Sequence, residues 1–278
     1  MLIIDSHQHF WKYNPQTYSW IDESMKLIRR DFLPPDIAPI YEDAGIAGCV
    51  AVQADQSNSE TNFLLDLAKE YDWVKAVVGW VDLRSKNVEE QLNYYSQYSE
   101  ISGFRHIVQG EPDPNFLLRK DFMLGISRLE KYDFTYDILV FPHQLGAVLE
   151  FVRLFPNQKF VIDHLAKPYI KDGYYDGWAN QMKAIAKDEN VYCKVSGMVT
   201  EADWQHWKLD DFVPYLDLVF EAFGPRRILY GSDCPVCLVA GDYLQVKGIL
   251  DDYLKDSSIA EREMIFAKNA IDFYQIKI

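Results

Sequence analysis

IIDSHQHFW, residues 3–11, is the stretch on which the fold turns. Its first apolar residues read as a strand, and the strand runs into His-Gln-His-Phe. A doubly wound nucleotide-binding sheet opens instead on a glycine-rich turn whose backbone can approach phosphate closely. On a strand, positions i and i+2 point to the same face, so His7 and His9 stand side by side, with acidic Asp5 two residues before His7. Two imidazoles that close suit a metal ion or a polarised substrate oxygen; buried, hydrogen-bonded structural histidines are the plainer alternative.

Outward from this stretch, short apolar and β-branched runs recur at 2–7, 48–54, 76–83, 101–107, 136–141, 159–165, 191–198 and 227–233. Continuous apolar runs of this length suit a parallel sheet covered on both faces. Helical patterns lie between them. One begins at Pro34-Pro35-Asp36 and ends near Gly45, and Ser57-x-x-Glu60 offers a capping box for the next. Others run near 88–99, 121–132, 144–155, 178–188, 210–223 (stopped by Gly224-Pro225), 243–255 and 260–273. Eight strand–helix alternations predict an α/β fold of the (β/α)8 TIM-barrel type, a single domain over residues 1–278. The stretch 10–33, with Trp11, Tyr13, Tyr18 and Trp20, reads as a long aromatic loop over the barrel mouth.

The chain is 49% hydrophobic and 25% charged, an ordinary globular composition, with a formal net charge of −14. Such a surface repels nucleic acid and anionic membrane, and neither is expected as a partner. The opening residues lack a basic leader segment and no stretch approaches the ~20 apolar residues of a membrane span, so the expectation is a cytoplasmic enzyme. Cys49, Cys193, Cys234 and Cys237 then stay reduced. Cys234-Pro-Val-Cys237 has no second pair at the spacing of a structural zinc site and reads as packing thiols near a strand end, with a redox pair as the lesser reading. Nothing in the sequence speaks to oligomeric state.

In a barrel, chemistry gathers at the C-terminal ends of the strands. There the sequence places His7 and His9 (strand 1), Gln53 (strand 2), Arg105 and His106 (strand 4), His143 (the turn after strand 5), Asp163-His164 (strand 6), Lys194 (strand 7) and Ser232-Asp233 (strand 8). Five of the six histidines fall in this set; His206 reads as peripheral. Each residue has a plainer role to set beside the catalytic one: Asp233 as a helix cap, His164 as a core histidine, Lys194 as a snorkelling side chain. Arg105 and His106 are adjacent and face opposite ways, so one of them reaches the centre.

Ile4-Asp5-Ser6-His7-Gln8-His9-Phe10-Trp11, the distant Asp163-His164 and Gly231-Ser232-Asp233-x-Pro235 together resemble the amidohydrolase superfamily. Val52-Gln53-Ala54, Gly79-Trp80-Val81-Asp82-Leu83, Gly103-Phe104-Arg105-His106, Asp163-His164-x-x-Lys167-Pro168, Cys193-Lys194-Val195-Ser196-Gly197 and Val199-Thr200-Glu201-Ala202-Asp203-Trp204 narrow the resemblance. They point to the amidohydrolase 2 group, which includes L-fuconolactone hydrolase and related sugar lactonases. The resemblance implies hydrolysis of a cyclic ester, with a small-molecule lactone as substrate and no organic cofactor. Asp233 would activate water, with His7, His9 and His164 as its catalytic partners. Arg105, Lys194, Gln53, His106, His143 and Trp80 are the expected substrate-binding residues. His7, His9 and Asp233 are the conditional metal ligands for one divalent ion (Zn2+ or Mn2+), with His164 as an optional fourth, the other choice being no ion. No lysine ends strand 4 to bridge two metals. The rival readings on this scaffold are a metal-dependent decarboxylase, a hydrolase of an aromatic-derived dicarboxylate lactone, and a non-catalytic binding barrel, which would need no Asp233.

Overall fold

A computed structural model describes all 278 residues. Eight parallel strands follow one another in chain order around the sheet: β1 Ile4–Gln8, β2 Gly48–Val52, β3 Val74–Gly79, β4 Ile101–His106, β5 Thr135–Ile138, β6 Phe160–Ile162, β7 Val191–Val195 and β8 Ile228–Tyr230. β8 returns to β1 through a parallel bridge between Gln8 and Cys234, so the sheet closes into the expected (β/α)8 barrel. The helices α1 Pro34–Ala44, α2 Asn58–Glu70, α3 Val88–Tyr95, α4 Lys120–Leu129, α5 Leu145–Leu154, α6 Asp176–Ile185, α7 Leu209–Phe223 and α8 Tyr243–Tyr253 alternate with the strands. None is long and apolar enough to cross a membrane.

The local signals explain the boundaries. α1 starts on its proline pair and stops at Gly45, whose φ of 68° few other residues adopt without cost. Ser57 caps α2 by accepting from the Glu60 amide. The expected capping box is incomplete, because the Glu60 carboxylate turns away from the cap to accept from Ala54 N and the Tyr18 hydroxyl.

Alternation along the strands divides the residues between two environments. Outward side chains join the large core between sheet and helices. Inward side chains build a second core from Ile4, Val50, Val52, Ala76, Val78, Val161 and Leu229. Phe273, Tyr274 and Ile276, at and just past the end of α9 (Asn269–Tyr274), join this inner core and plug the barrel at the strand starts, where Ser102 donates to the Tyr274 carbonyl. Above the plug the inward positions turn polar: Asp137, Asp163, Lys194 and Arg105 all point inside and are buried. β1 carries a register irregularity between Asp5 and Gln8. Across it Ile4 and His7, three residues apart, both face inward, which a regular strand would not allow.

Candidate active site

His7, His9, His164, Arg105 and Asp233 come together at the C-terminal end of the barrel. The Nε2 atoms of His7 and His9 are 3.2 Å apart. Asp233 Oδ1 lies 3.3 Å from His9 Nε2, 3.8 Å from His7 Nε2 and 3.9 Å from His164 Nε2. Each imidazole is oriented by its other nitrogen. His9 Nδ1 is 2.7 Å from the Val52 carbonyl, and His164 Nδ1 is 2.8 Å from Ser196 Oγ. His7 Nδ1 faces Asp163 Oδ1 at 3.4 Å and Lys194 Nζ at 3.2 Å. Arg105 Nη1 donates to Asp163 at 2.9 Å, and its Nη2 donates to the Gln53 carbonyl.

The backbone reaches these positions at a cost. His164, Leu165, Ala166 and Lys167 all adopt φ between 49° and 57°, and Asp233 has φ 60°. Left-handed backbone disfavours residues with a Cβ by about 1–2 kcal/mol each. Packing holds the turn after β6: Leu165 and Ala166 are fully buried, and Trp178 Nε1 donates to the Leu165 carbonyl at 2.7 Å. Gly197 lies against this turn, and a Cβ there would stand 2.5 Å from His164 Nδ1.

Electrostatics sort the protons. Burial alone would raise the Asp233 carboxyl, but the neighbouring imidazoles, His164 first, outweigh it and hold the group below the usual carboxylate range. Burial lowers His164 to about 4 and His7 well below its ordinary value, with the charge of Lys194 adding to the effect at His7. The floor therefore presents an ionised carboxylate beside the neutral rings of His7 and His164.

Above this floor opens a cavity of about 220 Å3. His9, His164, Arg105 and Asp233 form its base; Trp20, Met25 and Val236 are among its apolar walls. Lys167, Glu201, Thr200, Trp204 and Gln109 also line it. Sequence reasoning assigned none of these last five a role. Lys167 and Glu201 sit in stretches that carry the family resemblance, but they are 34 positions apart and only folding pairs them.

Several expected substrate-binding residues lie elsewhere. Lys194 is fully buried beneath the floor, bonded to Asp137 and Asp163. Gln53 is buried beside Arg105 and donates to its carbonyl at 3.1 Å. Of the adjacent pair on β4, Arg105 faces the cavity. His106 takes the other parity and points toward the helices, stacked on Phe116 and bonded to Glu111 at 2.7 Å. Trp80 follows it, its indole N–H 3.3 Å from His106 Nδ1. His143 is exposed in its turn, stacked on Phe141. Of these six only Arg105 lines the cavity, because strand parity or turn geometry directs the other five away. His206 is exposed, and the four cysteines are buried free thiols.

The amidohydrolase family model matches residues 4–276. The chain belongs to the amidohydrolase family. It is 36% identical to an L-fucono-1,5-lactonase of Burkholderia multivorans, over 99% of this chain and 96% of that protein. It is 34% identical to an L-fucono-1,5-lactonase of Burkholderia ambifaria, over 98% of this chain and 95% of that one. The crystal structure of an amidohydrolase from Burkholderia multivorans with bound zinc superimposes with a TM-score of 0.95 at 36% identity, covering 100% of both chains.

The donor set of the floor fits a divalent ion. His7, His164 and Asp233 offer ligand atoms within 4.8 Å of one another, and His9 Nε2 lies 3.2 Å from His7 Nε2. Three imidazoles and one carboxylate, with the outward ring nitrogens held by carbonyl, hydroxyl and carboxylate partners, have the make-up of a nitrogen- and oxygen-ligated metal site. His164 offers its ligand atom alongside those of His7 and Asp233.

Proposed function

We propose that the chain hydrolyses the lactone of a sugar acid, an L-fucono- or L-rhamnono-type aldonolactone, to the free aldonate. The observation that carries this reading is the ionised Asp233 carboxylate set among three imidazoles and Arg105 on the floor of the cavity. The likeness to two L-fucono-1,5-lactonases over nearly the full chain supplies the substrate class.

The chemistry follows from the residues. Asp233 accepts a proton from a water as that water attacks the ester carbonyl, and returns it to the ring oxygen as the bond to carbonyl carbon breaks. Arg105 Nη1, 3.2 Å from His7 Nε2, sets positive charge beside the place where the oxyanion forms. The Asp163 carboxylate holds Arg105 and His7 in register. A divalent ion held by His7, His9, His164 and Asp233, zinc or manganese by its donor chemistry, would supply Lewis acidity to the carbonyl and lower the pKa of water. One ion rather than two accords with the end of β4, where Arg105 and His106 leave no bridging lysine.

A dicarboxylate lactone is disfavoured by the cations available. Arg105 is committed to Asp163 and the Gln53 carbonyl, and Lys167 is paired with Glu201, so the cavity has no free arginine for a second carboxylate. The test is a panel of aldonolactones, a plain butyrolactone and an aromatic-derived dicarboxylate lactone, run before and after chelation. The expected result is fastest turnover of an aldonolactone, loss on chelation and recovery with zinc or manganese. Equal rates on the plain or dicarboxylate lactone would defeat the substrate assignment. Full activity of metal-free protein would leave the imidazoles and Arg105 to polarise the carbonyl unaided.

A further inference from the structure

The cavity has polar equipment that the hydrolytic step does not use. Lys167 and Glu201 meet at 2.6 Å, each only about one-seventh exposed (14% and 15%), on the wall above the floor. Their bonding is incomplete. Glu201 Oε1 accepts from Lys167 and, at 3.4 Å, from Thr200 Oγ1, while Oε2 has no partner in the protein. The ammonium makes one hydrogen bond of the three it can donate. Gln109, lining the same cavity, has a buried amide oxygen with no partner. Buried polar groups are ordinarily satisfied, and three residues with bonding capacity to spare line this one cavity.

Their chemistry identifies what would satisfy them. A free carboxylate oxygen takes a hydroxyl proton and a free ammonium proton is taken by a hydroxyl oxygen, so the pair matches two neighbouring hydroxyls, each both donor and acceptor. Trp204 bounds the same wall with its indole N–H turned away to the Thr200 carbonyl at 2.9 Å. That leaves its ring for the C–H surface of a sugar ring. Lys167 ends the left-handed turn that begins with His164, so one rigid element carries a floor residue at one end and a wall residue at the other.

We propose that Lys167, Glu201 and Gln109 form a hydroxyl-reading clamp that takes vicinal ring hydroxyls of the lactone between Glu201 Oε2 and Lys167 Nζ. This rests on the sugar-lactone reading above and adds to it the residues that recognise the sugar. The plainer role for the pair is a strut between the loops after β6 and β7, and the two roles predict different kinetics. A strut supports every substrate alike, whereas a clamp acts only on substrates with hydroxyls.

The experiment measures kcat/KM of wild type, Glu201→Gln, Lys167→Gln and Gln109→Ala on an aldonolactone and on δ-valerolactone, which has no hydroxyls. The clamp predicts that the ratio of the two values falls about ten- to a hundredfold in Glu201→Gln and Lys167→Gln, carried mainly by KM for the aldonolactone. A smaller fall is expected in Gln109→Ala. An equal loss on both lactones, or an unchanged ratio, would overturn the clamp while leaving the sugar-lactone reading intact. A wild type indifferent to hydroxyls would overturn both. Should either charge-pair variant fail to fold, the other and Gln109→Ala report the same ratio.

Discussion

Two lysines in this molecule each hold a carboxylate at close range, in opposite surroundings. Lys194 Nζ lies 2.7 Å from Asp137 and 2.8 Å from Asp163, with all three side chains inaccessible to water. Lys167 lies 2.6 Å from Glu201 on the wall of an open cavity. The sealed lysine has used its donors: Asp137, Asp163 and His7 Nδ1 surround it, and Tyr274 from the barrel plug also donates to Asp137 at 2.7 Å. Burial would lower its pKa, but the two carboxylates outweigh burial and raise it. Burial likewise opposes ionisation of Asp163, and Lys194, His7 and Arg105 overcome it and hold the carboxyl well below its ordinary value. The open lysine keeps donors in reserve. The first pair fixes positions; the second has bonds to give a ligand.

The comparison can be tested at three depths. The largest effect is expected where the sealed network meets the cavity, at Asp233. Asp233→Asn keeps the shape and removes the base, and kcat should fall by about two to four orders of magnitude in a protein whose circular dichroism is unchanged. Near-normal turnover would remove Asp233 from the chemistry.

Next comes the sealed pair itself. Lys194→Met leaves Asp137 buried without a cation and Asp163 with Arg105 alone, and breaking a buried pair in this way costs about 3–5 kcal/mol. Chemical denaturation should show that loss, with activity on hydroxylated and plain lactones falling together. A selective loss on the hydroxylated lactone would mean that Lys194 reaches substrate after all.

The smallest effect concerns a buried carboxylate with no cation. Glu60, 5% exposed, accepts from the Tyr18 hydroxyl and the Ala54 amide, and burial raises its pKa from 4.5 to about 7. A raised folded-state pKa means that the stability this group contributes is full below pH 4.5 and is lost as pH climbs through about 7. The melting temperature of wild type relative to Glu60→Gln should therefore fall across that window, by up to about 3 kcal/mol in equivalent stability. A pH-independent difference would show that the carboxyl titrates normally, and that a buried acid here needs no lysine.

The eight strands, the helices between them and the gathering of chemistry at the strand ends were legible in the sequence. Those features rest on local rules: apolar runs for strands, proline and glycine at the ends of α1, and side-chain parity within a strand. His7, His9, His164, Arg105 and Asp233 were readable as candidates because a parallel barrel delivers every strand's C-terminal end to one mouth. The same parity left Arg105 and His106 as a choice, and only the packing of His106 on Phe116 shows which one faces outward.

What tertiary structure alone decided is depth and pairing. In sequence Lys194 and Lys167 are both lysines near strand ends. One lies within a strand and is swallowed by the barrel; the other ends a left-handed turn and is lifted onto the cavity wall. The irregularity in β1 that brings His7 inward, the contact of Lys167 with Glu201 and the unpartnered Gln109 oxygen have no local signature. Each depends on how far one loop stands from another. That distance is set by closure of the whole barrel, and the residues themselves carry no trace of it.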